Sequence, residues 1–182
     1  IWNELSKTER LQITKEMGKL LNKIHSIKME KFGRIEDRGK IKHDIPFKFK
    51  TGKPEIEYNN SLREILIDSL KDYARILSHE NYLSQEFIND FTEYVTSNLK
   101  EIRYKDSPIL LHGDFIPGHV FVEKVNNDYK ITGLIDIEFA RSSMPEYDFI
   151  KLHRLGFFND KNLISALEEG YGRKINEKAV EV

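Results

Sequence analysis

Apolar residues recur at helical spacing near the start of the chain, where Ile13, Met17, Leu20, Leu21 and Ile24 follow the string "SKTE". In that string Ser6 and Glu9 can each satisfy the other's exposed amide, a capping box, so the pattern predicts a helix over residues 8–25. Residues 28–59 contain three Gly and two Pro and hold no sustained period, which predicts a long irregular excursion, read as a solvated surface loop before a flap over a ligand. A second capping box, "SLRE" at Ser61, opens a helix with Leu62, Ile65, Leu66, Leu70, Tyr73, Ile76 and Leu77 on one face. A third helix follows Ser84, and its stripe of Phe87, Ile88, Phe91, Tyr94, Val95, Leu99 and Ile102 is expected to be core.

The period then changes. "ILL", "VFVEKV" and "YKITGLIDI" are short and rich in β-branched residues, which predicts strands, the last two forming a hairpin that turns at 126–128. Beyond them "PEYDFIKLHRLGFF" and "KNLISALEEGYG" read as helices, the second with Leu163, Ile164, Leu167 and Tyr171 in register. Helices followed by a small set of strands give an α+β class.

Composition narrows the class of function. The 182 residues carry 29 Lys and Arg against 30 Asp and Glu, a formal net charge of -1, so no overall field points to nucleic acid or to an anionic membrane as partner. The chain contains no Cys, which removes disulfides, thiolate catalysis and thiolate metal sites, and fits a reducing cytoplasm. No apolar run has the length of a membrane span, and "IWNELSKTER" lacks the order of a signal peptide. The first residue is not Met, and the expectation is a fragment folded as one domain over 1–182.

The candidate chemistry sits in "ILLHGDFIPGHVFVE", where ionisable groups occupy the polar break between two apolar runs. Asp114 follows one strand, His119 stands at the mouth of the next, and Asp136 ends the strand that returns beside it. The hairpin should bring all three to one end. Two metal-binding groups and a separate carboxylate suit phosphoryl transfer: a cation neutralises phosphate oxygens while the free carboxylate positions or deprotonates an attacking hydroxyl.

"HGDFIPGH" followed by "GLIDIE" resembles the H-G-D-x-x-x-x-N and I-D pair of the aminoglycoside phosphotransferase family, small-molecule kinases related to the protein kinases. "MGKLLNKIHSI" resembles the first helix of that family's large lobe and "SMPEYDFIKL" its D-P-x-Y-D segment, so the likeness runs across residues 17–152. The resemblance implies the mainly helical C-terminal lobe of a protein-kinase-like fold, with a small β-hairpin carrying the catalytic and metal-binding loops. It makes Asp114 the catalytic carboxylate, His119 the occupant of the metal-binding Asn position and Asp136 the metal-chelating Asp, with His112 orienting the loop and Asp148 bracing it.

His119 departs from the commonest pattern. The resemblance implies Mg2+, but imidazole is a softer ligand than an amide oxygen and magnesium prefers oxygen, so the substitution is expected to weaken metal binding or to admit Mn2+. Glu138, Arg141 and Glu146 are candidate substrate contacts, each with a surface or capping role as the plainer alternative. His25, at a helix C-terminus, is assigned to structure.

The family implies ATP or GTP as co-substrate and a small-molecule hydroxyl as acceptor, an aminoglycoside or another antibiotic, with antibiotic resistance as the outcome. Neither a Gly-rich phosphate loop nor a lysine-bearing strand precedes Ser6, so the N-terminal nucleotide-binding lobe is expected to be missing from this chain and the piece alone inactive. Two other classes stay open: a kinase-like scaffold that has lost catalysis, and a metal-dependent phosphohydrolase liganded by His112, Asp114, His119 and Asp136.

Overall fold

Ser6 caps α1 (Lys7–His25) in the way its capping box predicts, its hydroxyl accepting the Glu9 N–H while the Glu9 carboxylate accepts the Ser6 N–H. The structure, a computed structural model, describes residues 2–35, 41–42, 62–79, 82–99 and 107–181. The chain divides into two compact units, 1–41 with 107–181, and 42–106, and each is described by itself.

In the first unit α1 packs against α5 (Lys161–Tyr171). Two glycines set how close the helices come. A Cβ on Gly18 would lie 2.2 Å from the Leu167 carbonyl oxygen, and one on Gly170 would lie 1.9 Å from that of Lys15, so the two backbones meet where no side chain fits. Around this crossing Ile13, Met17, Leu21, Phe149, Leu152, Leu167 and Tyr171 join the buried core, with Trp2 stacked on Phe157 at 5.4 Å. Burying each of the larger side chains stabilises the fold by about 1.5–3 kcal/mol.

The hairpin of β4 (Val120–Val125) and β5 (Asp128–Leu134) lies against α1 through half-buried Val122, Tyr129 and Ile131. The Tyr129 hydroxyl donates to Glu9 at 2.7 Å and Lys124 reaches the same carboxylate at 3.1 Å. The turn is the two residues Asn126 and Asn127, both at positive φ, while Asp128 pairs with Val125 and so already belongs to β5. Asn tolerates the left-handed region, and a turn with two such residues matches the twist of paired strands.

A separate sheet of order β2-β1-β6-β3 contains β1 (Gly33–Ile35), β2 (Ile41–Lys42), β3 (Ile109–Leu111) and β6 (Arg141–Ser143). The "ILL" strand therefore pairs antiparallel with β6, not with the hairpin. Part of the 28–59 excursion, expected to be irregular, is strand; these pieces of two or three residues are too short to show a period. Residues 36–40 and 43–59 of that excursion lie outside the described residues. After α4 (Glu146–Arg154) the chain turns at Gly156, φ 81°, into a 3-10 turn, so the "PEYDFIKLHRLGFF" helix is shorter than its pattern suggested. A short α6 (Glu177–Glu181) closes the unit.

The second unit holds α2 (Leu62–His79) and α3 (Gln85–Asn98). Ser84 caps α3 by accepting the Phe87 N–H, whereas Ser61 and Ile102 lie outside the described residues. The stripe expected as core on α3 splits in two. Ile88 and Leu99 are buried, but Phe87, Phe91 and Tyr94 are 52%, 48% and 61% exposed, with the two Phe rings stacked on each other. Phe87, Phe91 and Tyr94 are spaced by four and three, and Ile88 and Leu99 by eleven, close to three turns, so the helical period fits either face and does not say which one is covered.

Candidate active site

The polar break after β3 is held in shape by backbone demands that few residues meet. Gly113 sits at φ 85°, and a Cβ there would lie 1.9 Å from the Phe139 carbonyl oxygen, so both the conformation and the close approach require glycine. His112, buried beside it, faces the Ile135 carbonyl through Nε2 at 2.9 Å, and the Asp114 N–H points at its Nδ1 at 3.3 Å. A carbonyl only accepts, so the His112 proton resides on Nε2 and Nδ1 is the acceptor. One imidazole thus ties the Asp114 loop to the end of the hairpin.

Asp148, in the first turn of α4 and 1% exposed, holds the same loop from below. Its Oδ2 accepts the His112 N–H at 2.9 Å and its Oδ1 the Gly113 N–H at 2.7 Å. His25 Nε2 meets Oδ2 at 3.0 Å, and His25 Nδ1 lies 2.7 Å from the Tyr171 hydroxyl, which Arg173 contacts in turn. Burial pushes the Tyr171 phenol up to about 12, against the opposing pull of Arg173. A buried carboxylate with three donors is well satisfied, which is what its burial demands.

Asp114, His119 and Asp136 meet at the rim, each offering a ligand atom within 4.8 Å of the others. His119 ends the 3-10 turn Pro117–His119, and its Nδ1–H donates to the Asp114 carbonyl at 2.9 Å. That leaves Nε2 facing Asp136 Oδ2 at 3.2 Å. Asp136 adopts the left-handed conformation, φ 67° and ψ 46°, which aspartate tolerates better than most residues. The Ile135 N–H donates to the His119 carbonyl at 3.0 Å, closing the hairpin end around the cluster. One nitrogen and two carboxylates facing a common point fit a hard or borderline divalent cation.

Lys151, one turn along α4 from Asp148, places Nζ 2.9 Å from Asp114 Oδ1. Its spacing of three from Asp148 puts both on the loop-facing side of the helix, a signal that sequence reasoning passed over. It also missed how His25 and Tyr171 extend the brace, because those partners are separated by 146 positions. Of the candidate substrate contacts, Glu138 is exposed in the 3-10 turn directly after Asp136, and Arg141 lies in β6 with its guanidinium 4.3 Å from the Tyr147 ring centre. Glu146 is half-buried, and burial raises its carboxyl above the usual range against the pull of Arg173 and His25. An open groove of about 900 Å³ between α2 and α3, lined by Lys71, Arg75, His79, Gln85, Asn89 and Glu93 among others, belongs to the second unit and contains none of the three clustered groups.

The fold has solved counterparts. A streptomycin–ATP–APH(2'')-IIa ternary complex superposes with a TM-score of 0.58 at 19% identity, and an ADP-bound aminoglycoside phosphotransferase APH(2'')-Ib with a TM-score of 0.59 at 19% identity. Each alignment covers 99% of this chain and 54% of the other, so the chain spans about half the length of the structures it matches. No curated protein matches it. The model of the phosphotransferase enzyme family matches residues 1–181, and the chain belongs to that family.

Proposed function

We propose that this chain is the catalytic and acceptor-binding lobe of a nucleotide-dependent kinase that phosphorylates a hydroxyl of a small molecule, with aminoglycosides as the leading acceptor class. The observation that carries this reading is the convergence of Asp114, His119 and Asp136 at one end of a braced hairpin. Family membership supports phosphoryl transfer, and the structures it resembles are complexes with ATP, ADP and streptomycin.

Asp114 is the group that takes the acceptor proton. Its carboxylate aims the hydroxyl oxygen along the line of attack, the new O–P bond forms at the γ-phosphorus, and the bond to the leaving nucleoside diphosphate breaks with its electron pair. His119 Nε2 and Asp136 Oδ2 are the groups that would hold Mg2+ or Mn2+, and a bound divalent ion would neutralise charge on the phosphate oxygens there. His112 and Asp148 keep the loop rigid, and rigidity here spares the reorganisation that would otherwise slow the transfer. Ile135 and Ile137, 47% and 64% exposed on either side of Asp136, give an apolar ledge suited to a nucleobase or to a nucleotide-binding lobe. That lobe is proposed to lie elsewhere in the same protein, so the 182-residue piece alone would turn over little or no substrate.

The test is a radiolabelled transfer assay with γ-labelled ATP and GTP, Mg2+ or Mn2+, and a panel of aminoglycosides, choline-like and sugar-like alcohols and macrolides, run on the whole protein. Labelled acceptor from at least one member, abolished in Asp114→Asn, is the expected result. Labelled inorganic phosphate alone would favour a phosphohydrolase, and no turnover with intact nucleotide binding would favour a scaffold.

A further inference from the structure

The pairing of Lys151 with Asp114 is chemically unexpected if Asp114 serves only as a base, because an ammonium 2.9 Å from Oδ1 competes with an acceptor hydroxyl for that carboxylate. The two side chains differ in freedom. Asp114 is 14% exposed, while Lys151 is 48% exposed, so the lysine end can leave the carboxylate at small cost. Its stem rises from α4, the helix whose first turn carries Asp148, so Lys151 and the loop it reaches are fixed to one support.

From this geometry we infer that Lys151 is a second catalytic residue, whose ammonium binds the non-bridging oxygens of the phosphoryl group in flight. The inference rests on the phosphotransferase reading of the site. The transferred group must reach the acceptor oxygen on Asp114, whose carboxylate lies within 4.8 Å of a ligand atom on each of His119 and Asp136, and Lys151 Nζ stands 2.9 Å from Asp114 Oδ1. In the resting protein Lys151 pairs with Asp114. When acceptor and nucleotide fill the site, the hydroxyl takes its place on Asp114 and the ammonium turns to the phosphoryl oxygens. The acceptor proton passes to Asp114, the O–P bond forms, and the bond to the diphosphate breaks with its electron pair. Lys151 remains protonated throughout and donates hydrogen bonds only. A cation aimed at oxygens whose charge is redistributed in the transition state acts mainly on kcat.

The experiment is steady-state kinetics on the whole protein with Lys151→Met, Lys151→Ala and Asp114→Asn, following both acceptor phosphorylation and the hydrolysis of ATP with water as acceptor. Lys151→Met should lower kcat roughly 10²–10³-fold in both reactions, the size seen when one transition-state donor is removed, with the nucleotide KM changing much less. Ethylammonium added to Lys151→Ala should restore part of the lost kcat. A loss of less than about threefold in Lys151→Met, as for an ordinary exposed ion pair, overturns the inference, as does a larger loss in Lys151→Ala that ethylammonium leaves unchanged. A loss confined to acceptor phosphorylation, with hydrolysis intact, also overturns it and makes Lys151 a positioning residue for Asp114. Full activity in Asp114→Asn would instead remove the reading beneath it, and absence of both reactions in the unsubstituted protein would remove both.

Discussion

His25 Nε2 lies 3.0 Å from Asp148 Oδ2, with the two side chains 1% and 0% exposed. The same carboxylate receives the His112 and Gly113 N–H groups, so one buried acid joins the end of α1 to the loop that presents Asp114. Removing it strands three donors at once. Asp148→Ala should therefore cost about 3–5 kcal/mol, the range for deleting one member of a buried charged network. Asp148→Asn should cost less, because its amide oxygen still accepts. Urea unfolding of both variants checks this, and a cost below about 1 kcal/mol for the alanine would show that the brace is not stabilising.

Gly170 meets the Lys15 carbonyl so closely that an added methyl would lie 1.9 Å from the oxygen. Backbone cannot yield as a flexible side chain can, so Gly170→Ala should destabilise by about 3 kcal/mol, the upper end of ordinary overpacking, although alanine favours helix more than glycine does. Thermal and urea denaturation give the sign. A neutral or stabilising result would mean that α1 and α5 separate freely at this crossing.

What the sequence made legible follows from the range of each signal. The capping box of α1 and the alternation of β4 and β5 are local, and so they show in the string. The convergence of Asp114, His119 and Asp136 follows from their positions at strand ends once the hairpin is recognised. By contrast β1, β2 and β6 are two or three residues long and are defined by partners distant in sequence, such as Gly33 with Ser142. The exposure of Phe87, Phe91 and Tyr94 could not be read from period alone, since Ile88, Val95 and Leu99 satisfy the same period on the adjacent face. The contact of Tyr171 with His25 depends on how α1 and α5 pack, which no window of residues encodes, whereas the place of Lys151 was signalled by its spacing from Asp148.

Glu9 carries the pH dependence that can be read most directly. The Tyr129 hydroxyl first, then the Ser6 amide and hydroxyl and the Lys124 ammonium, hold its carboxyl down at about 2 from an ordinary value of 4.5. A depressed folded-state value means that the unfolded chain binds the proton more readily as pH falls. The stabilisation is thus fully present above about 4.5 and is lost as the pH falls toward 2. Glu9→Gln should be less stable than the parent at pH 7, and its unfolding free energy should fall less steeply with acidification through that window. Parallel denaturation series at several pH values test both statements, and identical slopes for the two proteins would exclude Glu9 as a contributor.

The orientation of His119 carries a prediction about metal choice. Because Nδ1–H is committed to the Asp114 carbonyl at 2.9 Å, the nitrogen available to an ion is Nε2, 3.2 Å from Asp136 Oδ2. A site with one imidazole nitrogen among carboxylate oxygens suits Mn2+ better than Mg2+, which prefers an all-oxygen shell. Replacing His119 by Asn supplies an amide oxygen and removes the softer donor. The ratio of Mn2+-supported to Mg2+-supported transfer by the whole protein should therefore fall in His119→Asn, and chelation of the divalent ion should abolish transfer in both proteins. Mn2+ titration followed by electron paramagnetic resonance gives an independent measure, with affinity reduced in Asp136→Ala. An unchanged metal ratio in His119→Asn, with Mn2+ affinity still lost in Asp136→Ala, would place the ion on the carboxylates and leave His119 only its hydrogen bond to the Asp114 carbonyl.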